Sequence, residues 1–253
     1  MPAVHLPFYM PERIKETEGR EMRITGETLK LYAVTDRSWL KPGERLEEPV
    51  EELLKGGVTC VQLREKNMDD RKLLEEAFRL RKLCRRYQVP LIINDRPDIA
   101  KKAGADGVHV GLSDMGIEKA RELLGDNSII GGSAHNVKEA LEAQRAGADY
   151  IGCGAVFGSS TKTDAAVLPC GELKAICQAV EIPVVAIGGI CRKNVWRLTG
   201  SGVDGIAVIR ALFAEAHKAE AAEELLQAVR SFRQEAACQD AGEARRLRER
   251  GNL

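Results

Sequence analysis

From residue 29 onward, eight short β-rich apolar runs alternate with amphipathic helical stretches, glycine-containing turns recur between helix and run, and polar residues gather at one end of the runs. These three observations predict an α/β protein built as a single (β/α)8 TIM barrel over residues 29–235, with an N-terminal extension (1–28) and a charged C-terminal tail (236–253). The runs are 29–35, 58–63, 91–94, 107–110, 128–132, 150–154, 183–187 and 205–209. Apolar residues three and four apart mark helices over 70–87, 116–124, 137–146 and 172–180. The turns read Gly56-Gly57-Val58, Ala103-Gly104-Ala105-Asp106-Gly107, Ala146-Gly147-Ala148-Asp149-Tyr150 and Gly200-Ser201-Gly202-Val203-Asp204-Gly205. Each ends a helix and resumes a strand, as a parallel sheet requires. An open doubly wound sheet shares these local units, and the count of eight favours closure. The extension holds Pro, Glu and Arg without a sustained period and reads as a loosely held arm, and the tail is rich in Glu and Arg and leaves a homo-oligomer contact open.

The chain carries 38 Lys and Arg against 38 Asp and Glu, with a pI near 6.9, so it has no global basic field. Nucleic acid and anionic membrane are thereby excluded as main partners, and any phosphate affinity must be local. Charge or glycine interrupts every apolar stretch before the roughly 18 residues needed to span a bilayer. The first ten residues lack the basic and apolar regions of a signal peptide. Cys60, Cys84, Cys153, Cys170, Cys177, Cys191 and Cys238 form no C-x-x-C pair, and Cys60 and Cys153 sit inside apolar runs. They read as reduced thiols of a cytoplasmic protein; structural zinc ligands usually come in close pairs.

In such a barrel the active face lies at the C-terminal ends of the strands. After the second run comes Gln62-Leu63-Arg64-Glu65-Lys66, where period-two alternation puts Gln62, Arg64 and Lys66 on one face. The third run ends Asn94-Asp95-Arg96-Pro97, an amide and a carboxylate that either face a ligand or cap the next helix. Asp114 follows the fourth run and offers a second acid, and two carboxylates at neighbouring strand ends suit Mg²⁺ with substrate phosphates. Ser133 follows Gly131-Gly132, and Ser159-Ser160-Thr161-Lys162 follows the sixth run as an anion loop without the spacing of a P-loop. Gly188-Gly189 and Ile209-Arg210 end the seventh and eighth runs, where barrels often hold phosphate. His109 and His135 lie beside apolar strands with no nucleophile partner in sequence and read as structural. Together these residues imply a barrel enzyme with two anion sites and phosphate or diphosphate chemistry.

The ordered strings Gln62-Leu63-Arg64-Glu65-Lys66, Ile92-Ile93-Asn94-Asp95-Arg96, Gly107-Val108-His109-Val110-Gly111, Ser133-Ala134-His135-Asn136, Thr161-Lys162 and Ala186-Ile187-Gly188-Gly189-Ile190 resemble the thiamine phosphate synthase family over roughly residues 29–215. The resemblance implies transfer of a pyrimidinylmethyl group from its diphosphate to a thiazole phosphate, or its carboxylated form, with dissociative loss of diphosphate. It further implies that Gln62, Leu63, Arg64, Glu65, Lys66, Asn94, Ser133 and Lys162 bind the pyrimidine diphosphate, with Arg64, Lys66 and Lys162 catalytic. Ser159, Ser160, Thr161, Gly189, Ile209 and Arg210 would bind the thiazole phosphate, and Asp95 and Asp114 would hold Mg²⁺. The chain departs from the family where Leu112 replaces a common Gln, Ala155 and Gly158 replace prolines, Ser159 replaces Thr, and Arg210 replaces Ser. A thiazole tautomerase on the same barrel is the alternative enzyme, and a thiazole or thiamine phosphate-binding protein the alternative without catalysis.

Overall fold

The computed structural model describes residues 24–111, 116–158 and 167–233. Eight parallel strands close into a barrel in chain order: β1 (Leu31–Val34), β2 (Cys60–Leu63), β3 (Leu91–Asn94), β4 (Gly107–Val110), β5 (Ile129–Ala134), β6 (Tyr150–Gly154), β7 (Val184–Ile187) and β8 (Gly205–Val208). The sheet closes because β1 pairs with β8, Leu31 opposite Ile206. This decides against the open sheet.

Around the barrel lie α1 (Glu47–Lys55), α2 (Asp70–Arg86), α3 (Pro97–Ala103), α4 (Ile117–Leu124), α5 (Val137–Arg145), α6 (Cys170–Ala179), the short α7 (Arg210–Phe213) and α8 (218–233). Between β7 and β8 the described chain forms a 3-10 turn, Val195–Leu198, in place of an α-helix. α2 begins where the Asp69 side chain accepts the Lys72 N–H, and α5 where Asn136 accepts that of Glu139.

Strand alternation divides the apolar residues into two layers. Leu31, Ala33, Val61, Leu63, Ile93 and Val108 point outward into the larger cluster under the helices. Tyr32, Val34, Cys60, Ile92, Ile129, Tyr150, Val185 and Ala207 fill the barrel interior, with Leu29 and Ile24 packed against them. Residues 1–23 and the tail 236–253 lie outside the described residues.

The recurrent turns carry more than their glycines. Asp106 accepts the backbone N–H of Leu91 (2.8 Å), Asp149 that of Ile130 (2.7 Å) and Asp204 that of Val184 (2.9 Å). In return, the N–H groups of Asp106, Asp149 and Asp204 donate to the carbonyls of Leu91, Ile130 and Val184. Thr59 makes the same reciprocal pair with Leu31. Each clamp fastens the start of a strand to the turn that begins the next strand, so the strand ends opposite are set in register.

Candidate active site

A cavity of about 1130 Å³ opens at the C-terminal ends of the strands, with every strand or the loop after it contributing to its lining. Gln62, Arg64 and Lys66 line it together with Asn94, Asp95, Ser133, Gly189, Ile209 and Arg210, as the strand alternation predicts. Leu63 is buried in the outer apolar layer and is not part of the lining. Glu65 also turns aside: its carboxylate accepts from Arg37 Nε at 3.0 Å and from the Thr35 hydroxyl at 3.3 Å. Any contact these two residues make with a ligand would therefore come through their backbone. Asp114, Ser159, Ser160, Thr161 and Lys162 lie outside the described residues, as does Leu112.

Glu65 belongs to a brace behind the site. Thr35, fully buried, accepts the Arg64 N–H on its hydroxyl (2.9 Å) and donates its own N–H to the Gln62 carbonyl (2.9 Å). Arg37 joins Glu65 to the buried Glu76, which also receives Arg79 at 3.0 Å. Burial raises the Glu65 carboxyl above the usual range, with the Arg37 guanidinium pulling the other way.

Neither Asn94 nor Asp95 caps α3. Pro97 occupies the first helical turn, Arg96 stands at the N-cap without a side-chain capping bond, and the preceding pair faces the cavity. Asp95 holds a left-handed backbone (φ 59°). Its N–H donates to the His109 carbonyl at 2.8 Å, and its carboxylate accepts from Asn94 Nδ2 at 2.6 Å.

The cations of the lining fall into two sets, for Arg192 binds Glu224 of the same cavity at 2.7 Å. Outside the cavity, Arg96 forks between Asp70 and Asp98, and Arg121 binds Asp149. Arg64, Lys66, Lys193 and Arg210 have no carboxylate within salt-bridge distance among the described residues. Positive charge left uncompensated in a concave site favours an anionic ligand. Arg210 instead rests on Trp39, its guanidinium carbon 5.7 Å from the ring centroid. Among the described residues no three His, Cys, Asp or Glu side chains gather as a metal site.

The sequence reading missed the floor of the cavity. Tyr32, His109 and Tyr150 line it, as does His135, so neither histidine is confined to a purely structural place. His135 Nδ1 lies 3.1 Å from the Glu139 carboxylate. The Tyr32 and Tyr150 hydroxyls are 2.9 Å apart, and Tyr150 reaches His109 Nδ1 at 3.0 Å. Gly131 makes room for this: a Cβ there would lie 2.3 Å from the Tyr150 ring. Burial pushes both phenols well above their ordinary pKa, so both remain protonated donors. A phenol inside an apolar run was the available signal, since a buried hydroxyl needs a partner.

Six of the seven cysteines divide by position, Cys238 lying outside the described residues. Cys60, Cys84 and Cys153 are buried, Cys177 and Cys191 partly so, and Cys170 is exposed; all are free thiols. Burial pushes the Cys84 and Cys177 thiols up to about 12. Among the described residues no helix is long and apolar enough to cross a membrane.

A family described as thiamine monophosphate synthase matches residues 31–212. A thiamine-phosphate synthase of Clostridium acetobutylicum is 55% identical over 180 residues, 71% of this chain and 85% of that protein. Its counterpart in Methanobrevibacter smithii is 48% identical over 199 residues, 79% and 94% of the two chains. Among solved structures, a thiamine phosphate pyrophosphorylase from Pyrococcus furiosus superposes with a TM-score of 0.76 at 42% identity, covering 82% of this chain and 98% of its own. With residues of five of those six strings lining one cavity in a closed barrel, this chain belongs to the thiamine monophosphate synthase family.

Proposed function

We propose that this chain is a thiamine phosphate synthase, an alkyl transferase that condenses 4-amino-2-methyl-5-hydroxymethylpyrimidine diphosphate with thiazole phosphate, or its carboxylated form. The observation that carries the reading is the convergence of Gln62, Arg64, Lys66, Asn94 and Asp95 in one cavity, with both cations lacking a carboxylate partner among the described residues. The bond from the pyrimidinylmethyl carbon to the diphosphate oxygen breaks, and its electron pair leaves with diphosphate. The thiazole nitrogen then donates its lone pair to the pyrimidinylmethyl cation, forming the new C–N bond.

The protein's task is to stabilise charge on the departing diphosphate. Arg64 and Lys66, with Lys162 proposed as a third donor, meet that charge with fixed cations, each worth about 3 kcal/mol when well placed. Gln62, Asn94 and Ser133 orient the pyrimidine, while Gly189, Ile209 and Arg210, with Ser159, Ser160 and Thr161, hold the thiazole phosphate. No protein nucleophile takes part.

The donor chemistry fits Mg²⁺ on one side: Asp95 brings a hard carboxylate oxygen to the cavity that Arg64 and Lys66 also line. Asp95 and Asp114 are proposed to hold the ion, which when bound would neutralise charge on the diphosphate oxygens. The proposed setting is the cytoplasm, in keeping with free thiols and with small-molecule substrates.

The test is thiamine phosphate formation and diphosphate release by the purified full chain given both substrates, with and without Mg²⁺. Metal-dependent, stoichiometric appearance of both products is expected. A folded protein that binds thiazole phosphate yet releases no diphosphate would overturn the reading.

A further inference from the structure

Thr35 holds the end of β2 by a bond that a regular sheet makes otherwise. In a parallel ladder a residue donates its N–H to the neighbouring strand and accepts, on its own carbonyl, from the residue two further along that strand. Thr35 does the first, donating its N–H to the Gln62 carbonyl at 2.9 Å. The second bond goes elsewhere: the Arg64 N–H donates to the Thr35 hydroxyl oxygen at 2.9 Å. A side chain thus takes the place of a backbone carbonyl at the step where β2 leaves the sheet. A backbone N–H only donates, so the sense of this bond is fixed whatever the ionisation of the groups around it.

Glu65 keeps that hydroxyl in place. Its carboxylate, on a side chain only 5% exposed, lies 3.3 Å from the Thr35 hydroxyl and accepts from Arg37 Nε at 3.0 Å. Arg37 is held in turn by Glu76, which receives Arg79, and Arg79 reaches Glu47 of α1 at 3.1 Å. The brace therefore runs from the helix layer to the backbone of Arg64. Among the described residues the Arg64 guanidinium itself makes no hydrogen bond or ion pair, so its reach into the cavity is set by its backbone. A valine has the shape of Thr35, and the fully buried hydroxyl that distinguishes the two is occupied by Arg64 and Glu65.

We propose that Thr35, Glu65 and Arg37 are positioning residues that act through Arg64, aiming its guanidinium at the diphosphate of the substrate. That the anion is a diphosphate rests on the synthase reading above; the hold on Arg64 does not. A cation stabilises a departing group only where its donors meet the developing charge. A backbone shift of about 1 Å at Arg64 therefore weakens that step far more than it disturbs the fold.

The test compares Thr35→Val, which keeps the shape, with Thr35→Ser, which keeps the hydroxyl, in the full chain. Thr35→Val is expected to lower kcat for diphosphate release about tenfold and to weaken calorimetric binding of inorganic diphosphate by a similar factor, with KM for thiazole phosphate unchanged. Thr35→Ser is expected to recover both quantities to near wild type. Added to Arg64→Gln, Thr35→Val is expected to cause no further loss, because the residue it acts through is gone. Losses that multiply in the double variant, a KM for thiazole phosphate that rises equally, or a serine variant as impaired as the valine one would overturn the proposal. Should Thr35→Val fail to fold by circular dichroism, Arg37→Met, at a half-exposed side chain, carries the same test, with an expected loss of about fivefold that Arg64→Gln again abolishes. Wild-type protein without synthase activity, whose diphosphate binding falls in Thr35→Val and returns in Thr35→Ser, would overturn the synthase reading and uphold the positioning. Wild-type protein that binds no diphosphate would overturn both.

Discussion

Arg210, at the end of β8, lies with its guanidinium carbon 5.7 Å from the centre of the Trp39 ring, on the loop after β1. The pair spans the line where the barrel closes, and both residues line the cavity. Stacking on an aromatic face leaves the in-plane N–H groups of a guanidinium available, and Arg210 has no carboxylate partner among the described residues. Trp39 thus orients a cation at the mouth without neutralising it.

Replacing Arg210 by Ser is expected to raise KM for thiazole phosphate about fivefold, the scale of one charge-assisted contact, and to leave KM for the pyrimidine diphosphate unchanged. Trp39→Ala should produce part of the same rise, and the double variant should add little. Initial-rate kinetics with each substrate varied would decide it; an effect confined to the diphosphate substrate would place Arg210 at the wrong ligand.

Lys66→Ala and Arg64→Gln should each lower turnover about a hundredfold, because a fixed cation on the leaving diphosphate is lost. Neither side chain makes a salt bridge among the described residues, so circular dichroism and the melting temperature should hardly move. Rates of diphosphate release, read beside thermal melts, separate the two effects.

Asp95→Asn is expected to raise the Mg²⁺ concentration for half-maximal activity about tenfold and to lower turnover. The fold should persist: Asn tolerates the left-handed backbone at this position (φ 59°) and keeps a carbonyl oxygen for Asn94 Nδ2. A Mg²⁺ titration matching wild type would remove Asp95 from metal binding.

Glu65 sets a pH dependence of stability. Its carboxyl is raised in the folded state by burial, so the folded protein holds this proton to higher pH than the unfolded chain. Its contribution is fully present below the unfolded carboxyl pKa and is lost as pH rises through the folded value. Glu65→Gln fixes the neutral form and should flatten that part of the stability profile. Urea unfolding of both proteins from pH 4 upward through the mildly acidic range measures the difference; identical profiles would show that Glu65 titrates as in the unfolded chain.

Alternation along β2 made Gln62, Arg64 and Lys66 legible in the sequence, because strand side chains switch faces at every residue. It could not reveal Glu65. That residue's place depends on Arg37, 28 positions away in the chain, which in turn reaches Glu76 across 39. The ambiguity at Asn94 and Asp95 was likewise beyond local rules, since a cap is defined only once the helix start is known, and Pro97 moved it to Arg96. Tyr32 and Tyr150 read as ordinary core residues because the hydroxyl of each is satisfied 118 residues away. The turns were recognised by their glycines, whereas the clamping role of Asp106, Asp149 and Asp204 needs a strand brought back by the intervening helix.

The pairing of Leu31 with Ile206 also bears on how the molecule is made. During synthesis β1 emerges first, and its outer edge waits with unmet N–H and C=O groups until β8 follows it out. Through that interval the nascent sheet has two edges open to other strands, and contacts of such long sequence separation form slowly. Chains halted before residue 205 lack β8, so they should seek foreign edges and aggregate, and only the completed strand set makes a soluble product.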